Sequence, residues 1–68
     1  MEDSEIKRII KEICRSMQSK NYDPVNQIGG YIISNDLGYI PDFDDNRNKI
    51  ARIDRSFLIE AMIKEYIK

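Results

Sequence analysis

Three arginines, Arg47, Arg52 and Arg55, are the residues of this sequence whose type and spacing most suggest binding chemistry. A guanidinium group presents a planar fork of donors that suits bidentate recognition of a phosphate or a carboxylate. If one helix runs through all three positions, steps of about 100° per residue place them within an arc of about 140°. The spacing therefore predicts a partner-binding face. The alternative, which the sequence leaves open, is pairing with the nearby carboxylates of Asp44, Asp45 and Asp54.

A second candidate for chemistry is the acidic run in which Asp42, Asp44 and Asn46 alternate with other residues. This spacing fits the first three ligand positions of a calcium-binding loop of the EF-hand type. However, Arg47 stands where the loop needs glycine, and Ile53 stands where it needs a bidentate glutamate. We therefore predict no metal site and interpret the run as the solvated, acidic start of a helix.

Cys14 is the only cysteine, and the chain contains no histidine. A zinc site of the Cys/His type is excluded, and a nucleophilic cysteine normally needs a base such as histidine to generate its thiolate. Cys14 is therefore predicted to be a half-buried, unreactive thiol. Because no phosphate-binding loop is present either, the sequence predicts neither an enzyme nor a cofactor.

Length and charge narrow the class of protein. A chain of 68 residues with 11 basic and 12 acidic side chains is too small for more than one domain, and we assign residues 1–68 to it. Such a chain buries only about 60% of its unfolded surface, which favours self-association into a homodimer. The net charge of −1 argues against nucleic-acid binding. No long apolar run and no basic leader are present, so we expect a cytoplasmic protein without membrane insertion.

The first element that could position these residues is a helix predicted from Ser4 to Lys20. Its apolar residues recur at spacings of three and four, which places them on one face. They are Ile6, Ile9, Ile10, Ile13 and Met17. Ser4 is predicted to be the N-cap, because its hydroxyl can accept a hydrogen bond from an amide of the first turn.

A second helix is predicted to begin at Asp23-Pro24, since Asp is a good N-cap and Pro is favoured at the first helical position. Val25, Ile28 and Ile32 form its apolar row. Gly29 and Gly30 inside this helix should cost about 1 kcal/mol each relative to alanine. We expect another backbone to approach closely there, in preference to a ligand. The two neighbouring amide side chains, which we expect to hydrogen-bond to nearby backbone, are Asn26 and Gln27.

Downstream, residues 34–41 are rich in turn formers and predict a connection. A short helix is predicted over Asp44–Ile53, and a last helix is predicted from the cap Asp54 to Ile67. The last helix is apolar over more than a narrow stripe, which suits packing on its own chain on one side and on a second subunit on the other. The predicted fold is all-α, a compact and dimeric bundle of three to five short helices.

From about Ser4 to Lys68 the sequence resembles the IreB family of small regulatory phosphoproteins of Gram-positive bacteria, and its central run is the most specific part of the resemblance. The residues that carry the resemblance are Tyr22, Pro24, Val25, Asn26, Gln27, Ile28, Gly30, Tyr31, Ile32, Ser34, Asp36, Tyr39, Ile40, Pro41, Asp45, Arg47, Asn48, Ile50, Asp54 and Arg55. The resemblance implies an all-helical homodimer without enzymatic activity. It also implies phosphorylation by a membrane Ser/Thr kinase and a role with protein partners in the control of peptidoglycan precursor synthesis and antibiotic tolerance.

The resemblance also bears on individual residues. Arg47 and Arg55 match arginines that look important in the family, whereas Asn35 and Leu37 stand where the family more often has Gly and Pro. The family's phosphorylated threonine has no counterpart, because this chain contains no threonine. We therefore take Ser4, the only hydroxyl ahead of the first apolar position, as the candidate phosphorylation site. The alternatives are loss of phosphoregulation and a divergent relative that responds to a different input.

Besides an enzyme, two functional classes are considered for this sequence. The first is a non-catalytic regulator that binds protein partners through its arginines and its dimer surface. The alternative is a small helical DNA-binding or transcription-associated module, because a few short helices with a glycine-containing turn can form a helix-turn-helix. The balanced charge favours the regulator.

Overall fold

A computed structural model describes residues 1–68 as four α-helices and one short 3-10 turn without strands. The helices are α1 (Asp3–Ser19), α2 (Pro24–Ser34), α3 (Asn46–Ala51) and α4 (Arg55–Tyr66), and the 3-10 turn spans Leu37–Tyr39. The predicted all-α fold of three to five short helices is confirmed. None of these helices combines the length and the apolar character needed to cross a bilayer.

Helix α1 is the central element, because α2, α3 and α4 all pack against it. Its inward face is the predicted stripe of Ile6, Ile9, Ile13 and Met17, all of which are buried. Ile10 lies at the edge of the same face and is half-buried. The other helices and their connections complete the core with Ile28, Tyr31, Ile40, Ile50, Ile53, Leu58 and Ala61.

The joint between α1 and α2 is built from local signals in the sequence. Asn21 adopts a left-handed conformation (φ 64°), and the amide of Tyr22 donates to the carbonyl of Met17, which is the Schellman arrangement that ends a helix. Two residues later the carboxylate of Asp23 accepts from the amide of Val25 at 3.0 Å, and Pro24 is the first residue of α2. The start of α2 is therefore where the sequence predicts it.

The apolar row predicted for α2 is only partly correct. Ile28 and Tyr31 are buried, whereas Val25 is 82% exposed and Ile33 is 87% exposed. The reason is that Tyr31 takes a core position, which turns the helix so that Val25 faces solvent. Helix α2 contains no charged residue, and its exposed residues are the apolar Val25 and Ile33 and the polar Asn26 and Ser34.

The connection from α2 to α3 is held by its own side chains and backbone. Asp36 accepts from the amide of Gly38 at 2.8 Å and caps the 3-10 turn, and Ile40 is fully buried beyond it. Asp44 and Asp45 both have positive φ (52° and 61°), so the chain is not helical there. Helix α3 consequently begins at Asn46, two residues later than predicted.

Candidate functional site

The three arginines do not share a helical face. Helix α3 ends at Ala51, Arg52 is its C-cap, and Arg55 is the first residue of α4. A helix that continues through Arg55, which was the condition for a shared arginine face, is therefore not formed, and the last helix begins directly after its predicted cap, Asp54. Asp54 causes the break, because its carboxylate accepts from the amide of Ser56 at 2.9 Å and begins a new helix.

Arg47 and Arg55 each donate to a backbone carbonyl at one end of the α2–α3 connection. The Nε of Arg47 donates to the carbonyl of Ile40 at 2.8 Å, and its guanidinium lies 3.5 Å from Asp42. The Nη1 of Arg55 donates to the carbonyl of Ile32 at 3.2 Å. Ile32 lies in the last turn of α2, where carbonyls lack helical partners. Both arginines are half-buried and contribute to the fold.

Arg52 differs from the other two arginines because it is exposed and makes no hydrogen bond or ion pair within the chain. Its guanidinium is fully available to a partner. The alternative interpretation, pairing of the arginines with Asp44, Asp45 and Asp54, is not what the structure shows, since the single arginine-carboxylate pair in this region joins Arg47 to Asp42.

Two of the three residues with calcium-like spacing, Asp44 and Asn46, belong to a polar network that joins α1 to α3. The hydroxyl of Ser16 donates to the carboxylate of Asp44 at 2.6 Å and accepts from the side-chain Nδ2 of Asn46 at 2.9 Å. Asn46 is fully buried, and its Oδ1 has no hydrogen-bond partner. Hydrogen bonds to a buried polar group of this kind fix the position of α3 relative to α1. This role was not predicted from the sequence, in which an Asn directly after two aspartates is the only signal for it.

The paired glycines of α2 have different surroundings. At Gly30 the ring of Tyr39 occupies the space that a Cβ would need, whereas nothing lies within 4 Å of such an atom at Gly29. The predicted approach of another backbone is therefore wrong, because a side chain approaches Gly30 and nothing in the chain approaches Gly29. Gln27 donates through Nε2 to the carbonyl of Tyr39 at 2.7 Å, whereas Asn26 is exposed.

Ser4 lies inside the first turn of α1 and is not the N-cap. The cap is Glu2, whose extended backbone (φ −68°, ψ 146°) accepts through its carbonyl from the amides of Glu5 and Ile6. The exposed hydroxyl of Ser4 lines a shallow depression of about 310 Å³ on the outer surface of α1. The other residues of this depression are Lys7, Arg8, Lys11, Glu12 and Arg15. Four of them are basic.

Helix α4 has two apolar faces. Leu58 and Ala61 are buried against α1. A second stripe follows the helical spacing of three and four but lies at the surface, with Ile63 54% exposed and Tyr66 91% exposed. We call it the α4 stripe, and its residues are Ile59, Met62, Ile63, Tyr66 and Ile67.

A groove of about 840 Å³ runs between α1 and α4. Its floor is apolar and consists of Ile6, Ile10, Leu58, Ala61 and Met62. Its rim is charged, and the rim residues are Asp3, Lys7, Lys11, Lys64, Glu65 and Lys68. We refer to this feature as the α1–α4 groove.

Ion pairs at the rim of the groove neutralise both of its carboxylates, and two of these pairs join α1 to α4. Lys7 lies 2.9 Å from Glu65, Lys64 lies 3.2 Å from Asp3, and Lys68 lies 3.2 Å from Glu65. Hydrogen bonds from Lys7 and Lys68 lower the pKa of Glu65, so this carboxylate is charged at neutral pH. Lys11 makes no ion pair, and the rim keeps a positive excess.

Cys14 lies beside the core and has the environment of a structural thiol. It is half-buried against the apolar cluster. Burial raises the pKa of the thiol, which lowers the fraction of reactive thiolate at neutral pH.

The chain is all-helical and exposes apolar and basic surfaces, and comparison with known families assigns its class. The model of the family described as IreB regulatory phosphoprotein matches residues 1–68, the whole chain. The class is that of regulatory phosphoproteins. The chain belongs to the IreB family, which confirms the resemblance seen from about Ser4 to Lys68.

Proposed function

We propose that this chain is a non-catalytic, cytoplasmic regulator that acts as a homodimer, as one IreB-like domain over residues 1–68. It binds protein partners, is modified by a Ser/Thr kinase, and controls peptidoglycan precursor synthesis and tolerance of wall-targeting antibiotics. The observation that carries this proposal is the match of a regulatory phosphoprotein family to the entire chain. The exposed α4 stripe and the free guanidinium of Arg52 support the part of the proposal that concerns protein binding.

The proposed dimer contact is an antiparallel pair of α4 helices. With Ile63 on the twofold axis, Ile59 of one copy faces Ile67 of the other, and the α4 stripe becomes buried. Glu60 then lies beside Lys64 of the second copy, on the same flank of the pair. Glu60 takes part in none of the ion pairs within the chain. Shape and charge are both self-complementary in this arrangement.

The physiological role is tested by deleting the gene in the bacterium that encodes it and restoring it from a plasmid. We expect deletion to change survival in an inhibitor of peptidoglycan synthesis, and the wild-type copy to reverse that change. The matched control is an inhibitor of protein synthesis, for which survival should not change. Unaltered survival in several wall inhibitors would refute the proposed role.

The arginine prediction is tested most clearly with Arg52, because Arg47 and Arg55 also hold the fold. We expect Arg52→Ala to leave the free energy of unfolding within about 0.5 kcal/mol of wild type, as for most surface substitutions. Arg55→Ala should lower it by about 1.5 kcal/mol, because a charge-assisted bond to the end of α2 is lost. Urea titrations followed by circular dichroism measure both values.

The same two variants are then expressed in the deletion strain. If the arginines bind a partner, Arg52→Ala fails to restore the survival phenotype although its stability and cellular level are normal. If Arg52→Ala restores survival in full while only Arg55→Ala fails, the arginines act through the fold and the partner-binding role is wrong.

Phosphorylation is predicted at Ser4. A phosphate there lies in the first turn of α1, where unpaired amides favour an anion, and within reach of Lys7 and Arg8 at spacings of three and four. Incubation with the catalytic domain of the kinase and ATP should add one phosphate, which tandem mass spectrometry places on Ser4. Ser4→Ala should abolish it, whereas Ser16→Ala should not. Incorporation that persists in Ser4→Ala would disprove the assignment.

A further inference from the structure

We propose that the α1–α4 groove binds an acidic amphipathic helix of a partner protein. This inference rests on the proposed function, because it names the chemistry of a partner that such a regulator would recognise. The volume of about 840 Å³ is in the range of about 300–1,000 Å³ that accommodates small ligands and anchoring side chains. The groove therefore has room for several large apolar side chains from one face of a helix.

The floor of the groove determines the apolar half of the recognition. Its five aliphatic or thioether side chains come from two packed helices, and Ile6 and Leu58 at the bottom are buried in the core. A floor on rigid helices is formed before binding, which reduces the entropy cost of association. Amphipathic helices bind such grooves with anchors at spacings of three, four and seven residues.

The charge of the rim favours a negatively charged partner. Four lysines stand against two carboxylates, and both carboxylates already pair with rim lysines. The basic surface continues from Lys11 across α1 to Arg8 and Arg15, which line the neighbouring depression. The chain as a whole carries a net charge of −1, so this positive area is a local feature. Complementary charge on a partner gives specificity and faster association.

The same observations disfavour two other occupants. A second copy of the chain seated groove to groove would bring two positive rims together. Nucleic acid would find positive charge on the rim, but the apolar floor offers no donors to phosphates or base edges. An acidic helix with an apolar stripe satisfies both the floor and the rim.

The test uses stapled helical peptides of about 16 residues, because unstapled helices of that length are marginal in water. The probe carries leucines along one face and glutamates elsewhere. One matched peptide replaces every glutamate with lysine, and another replaces every leucine with serine. Fluorescence anisotropy measures binding to the full chain. We expect the acidic probe to bind at least about tenfold more tightly than either control, and its affinity to fall as salt is added.

Variants of the chain locate the binding surface. Lys11→Glu alters only an exposed side chain, and it should weaken the acidic probe severalfold and improve binding of the lysine peptide. Ile10→Asp places a charge at the edge of the floor and should abolish binding, with circular dichroism as the check on folding. Ile33→Asp on α2 is the matched control and should leave the affinity unchanged. Methyl NMR should show shifts at Ile6 and Ile10.

Several results would overturn the proposal. They are equal affinity for the acidic and basic peptides, unchanged binding in Lys11→Glu, or probe-induced shifts confined to Ile59, Ile63 and Ile67, the residues of the α4 stripe that do not line the groove. Displacement of the acidic probe by short duplex DNA at physiological salt would favour a nucleic-acid site instead. These results are distinguishable from failure of the proposed function. The groove can fail in all of these assays while gene deletion still changes survival in wall inhibitors.

Discussion

Ile63→Asp should convert the protein from a dimer into a folded monomer. Wild type at micromolar concentration is expected to scatter light as a particle of twice the 8.0 kDa chain mass. Because Ile63 faces its own copy across the proposed twofold axis, the substitution places two carboxylates opposite each other at the centre of an apolar contact. The expected result is a particle of one chain mass. Ile63 is half-exposed within one chain, so the helix content should be retained.

The matched control for this experiment is Ile33→Asp. It introduces the same charge at a still more exposed isoleucine, on α2, which is not part of the α4 stripe. It should remain dimeric. A wild-type mass equal to one chain, with a melting temperature that does not depend on protein concentration, would contradict the dimer itself. A dimer that survives Ile63→Asp but dissociates with Ile33→Asp would place the interface on α2 instead.

Charge reversal gives a second test of the antiparallel geometry. Glu60→Lys and Lys64→Glu should each weaken the dimer, because each places like charges side by side across the helix pair. The double variant should restore it, since the two residues exchange roles. The expected effect of each single change is modest, because exposed ion pairs contribute about 0.2–1 kcal/mol.

The elements that the sequence predicts well are those defined by neighbouring residues. The buried stripe of α1 follows from its spacing alone, and the starts of α2 and α4 follow from Asp23 and Asp54, whose carboxylates bond to amides two residues onward. These signals act over one or two helical turns. They do not depend on the rest of the fold, and this is why the all-α prediction is correct.

The arginine face could not be predicted because it depended on whether one helix continued past Ala51. Arg52 and Ile53 are compatible with a helix, but Asp54 caps α4 more effectively than it would extend α3. Once the helix breaks, Arg55 reaches back to the end of α2 and Arg47 reaches the connection. The ability of the arginines to donate hydrogen bonds was evident from the sequence, whereas the carbonyls that accept these bonds depended on long-range contacts.

The α1–α4 groove could not be predicted from the sequence at all. Its floor combines Ile6 and Ile10 with three residues that lie about fifty positions later in the chain. Periodicity identifies each apolar face separately, but it does not show where two helices diverge enough to leave a groove. The surplus apolar surface of α4 was visible in the sequence, because its apolar residues exceed those needed for one buried face. Leu58 and Ala61 form that face, and the α4 stripe forms a second one.

The substitution of Gly by Ala should change the free energy of unfolding in opposite directions at the two glycines of α2. Gly29→Ala should raise the free energy of unfolding by about 0.5–1 kcal/mol, because alanine is the better helix former and nothing occupies the space above Gly29. Gly30→Ala should lower it by about 1–2 kcal/mol. Its Cβ would collide with the ring of Tyr39, and the cost of overpacking, about 1–3 kcal/mol, exceeds the gain in helix propensity.

The collision at Gly30 is difficult to relieve because both sides of the contact are fixed. Gln27 holds the carbonyl of Tyr39 at 2.7 Å, so the backbone that carries the ring cannot retreat without breaking that bond. The ring must then rotate towards solvent and lose its packing on α2. In a Tyr39→Ala background the obstacle is absent, and Gly30→Ala should become stabilising by about 0.5–1 kcal/mol, as at Gly29.

Thermal and urea unfolding of the four variants, compared with wild type, complete the double-mutant cycle. For a chain of this size, a change of 1 kcal/mol corresponds to about 4–8 °C in melting temperature, which is easily resolved. A destabilising Gly30→Ala that becomes stabilising without the Tyr39 ring establishes that Gly30 is required for this contact. Gly30→Ala that is stabilising in the wild-type background would mean that the ring moves freely. Gly30 would then be needed for close contact with a partner protein and not for packing within the chain.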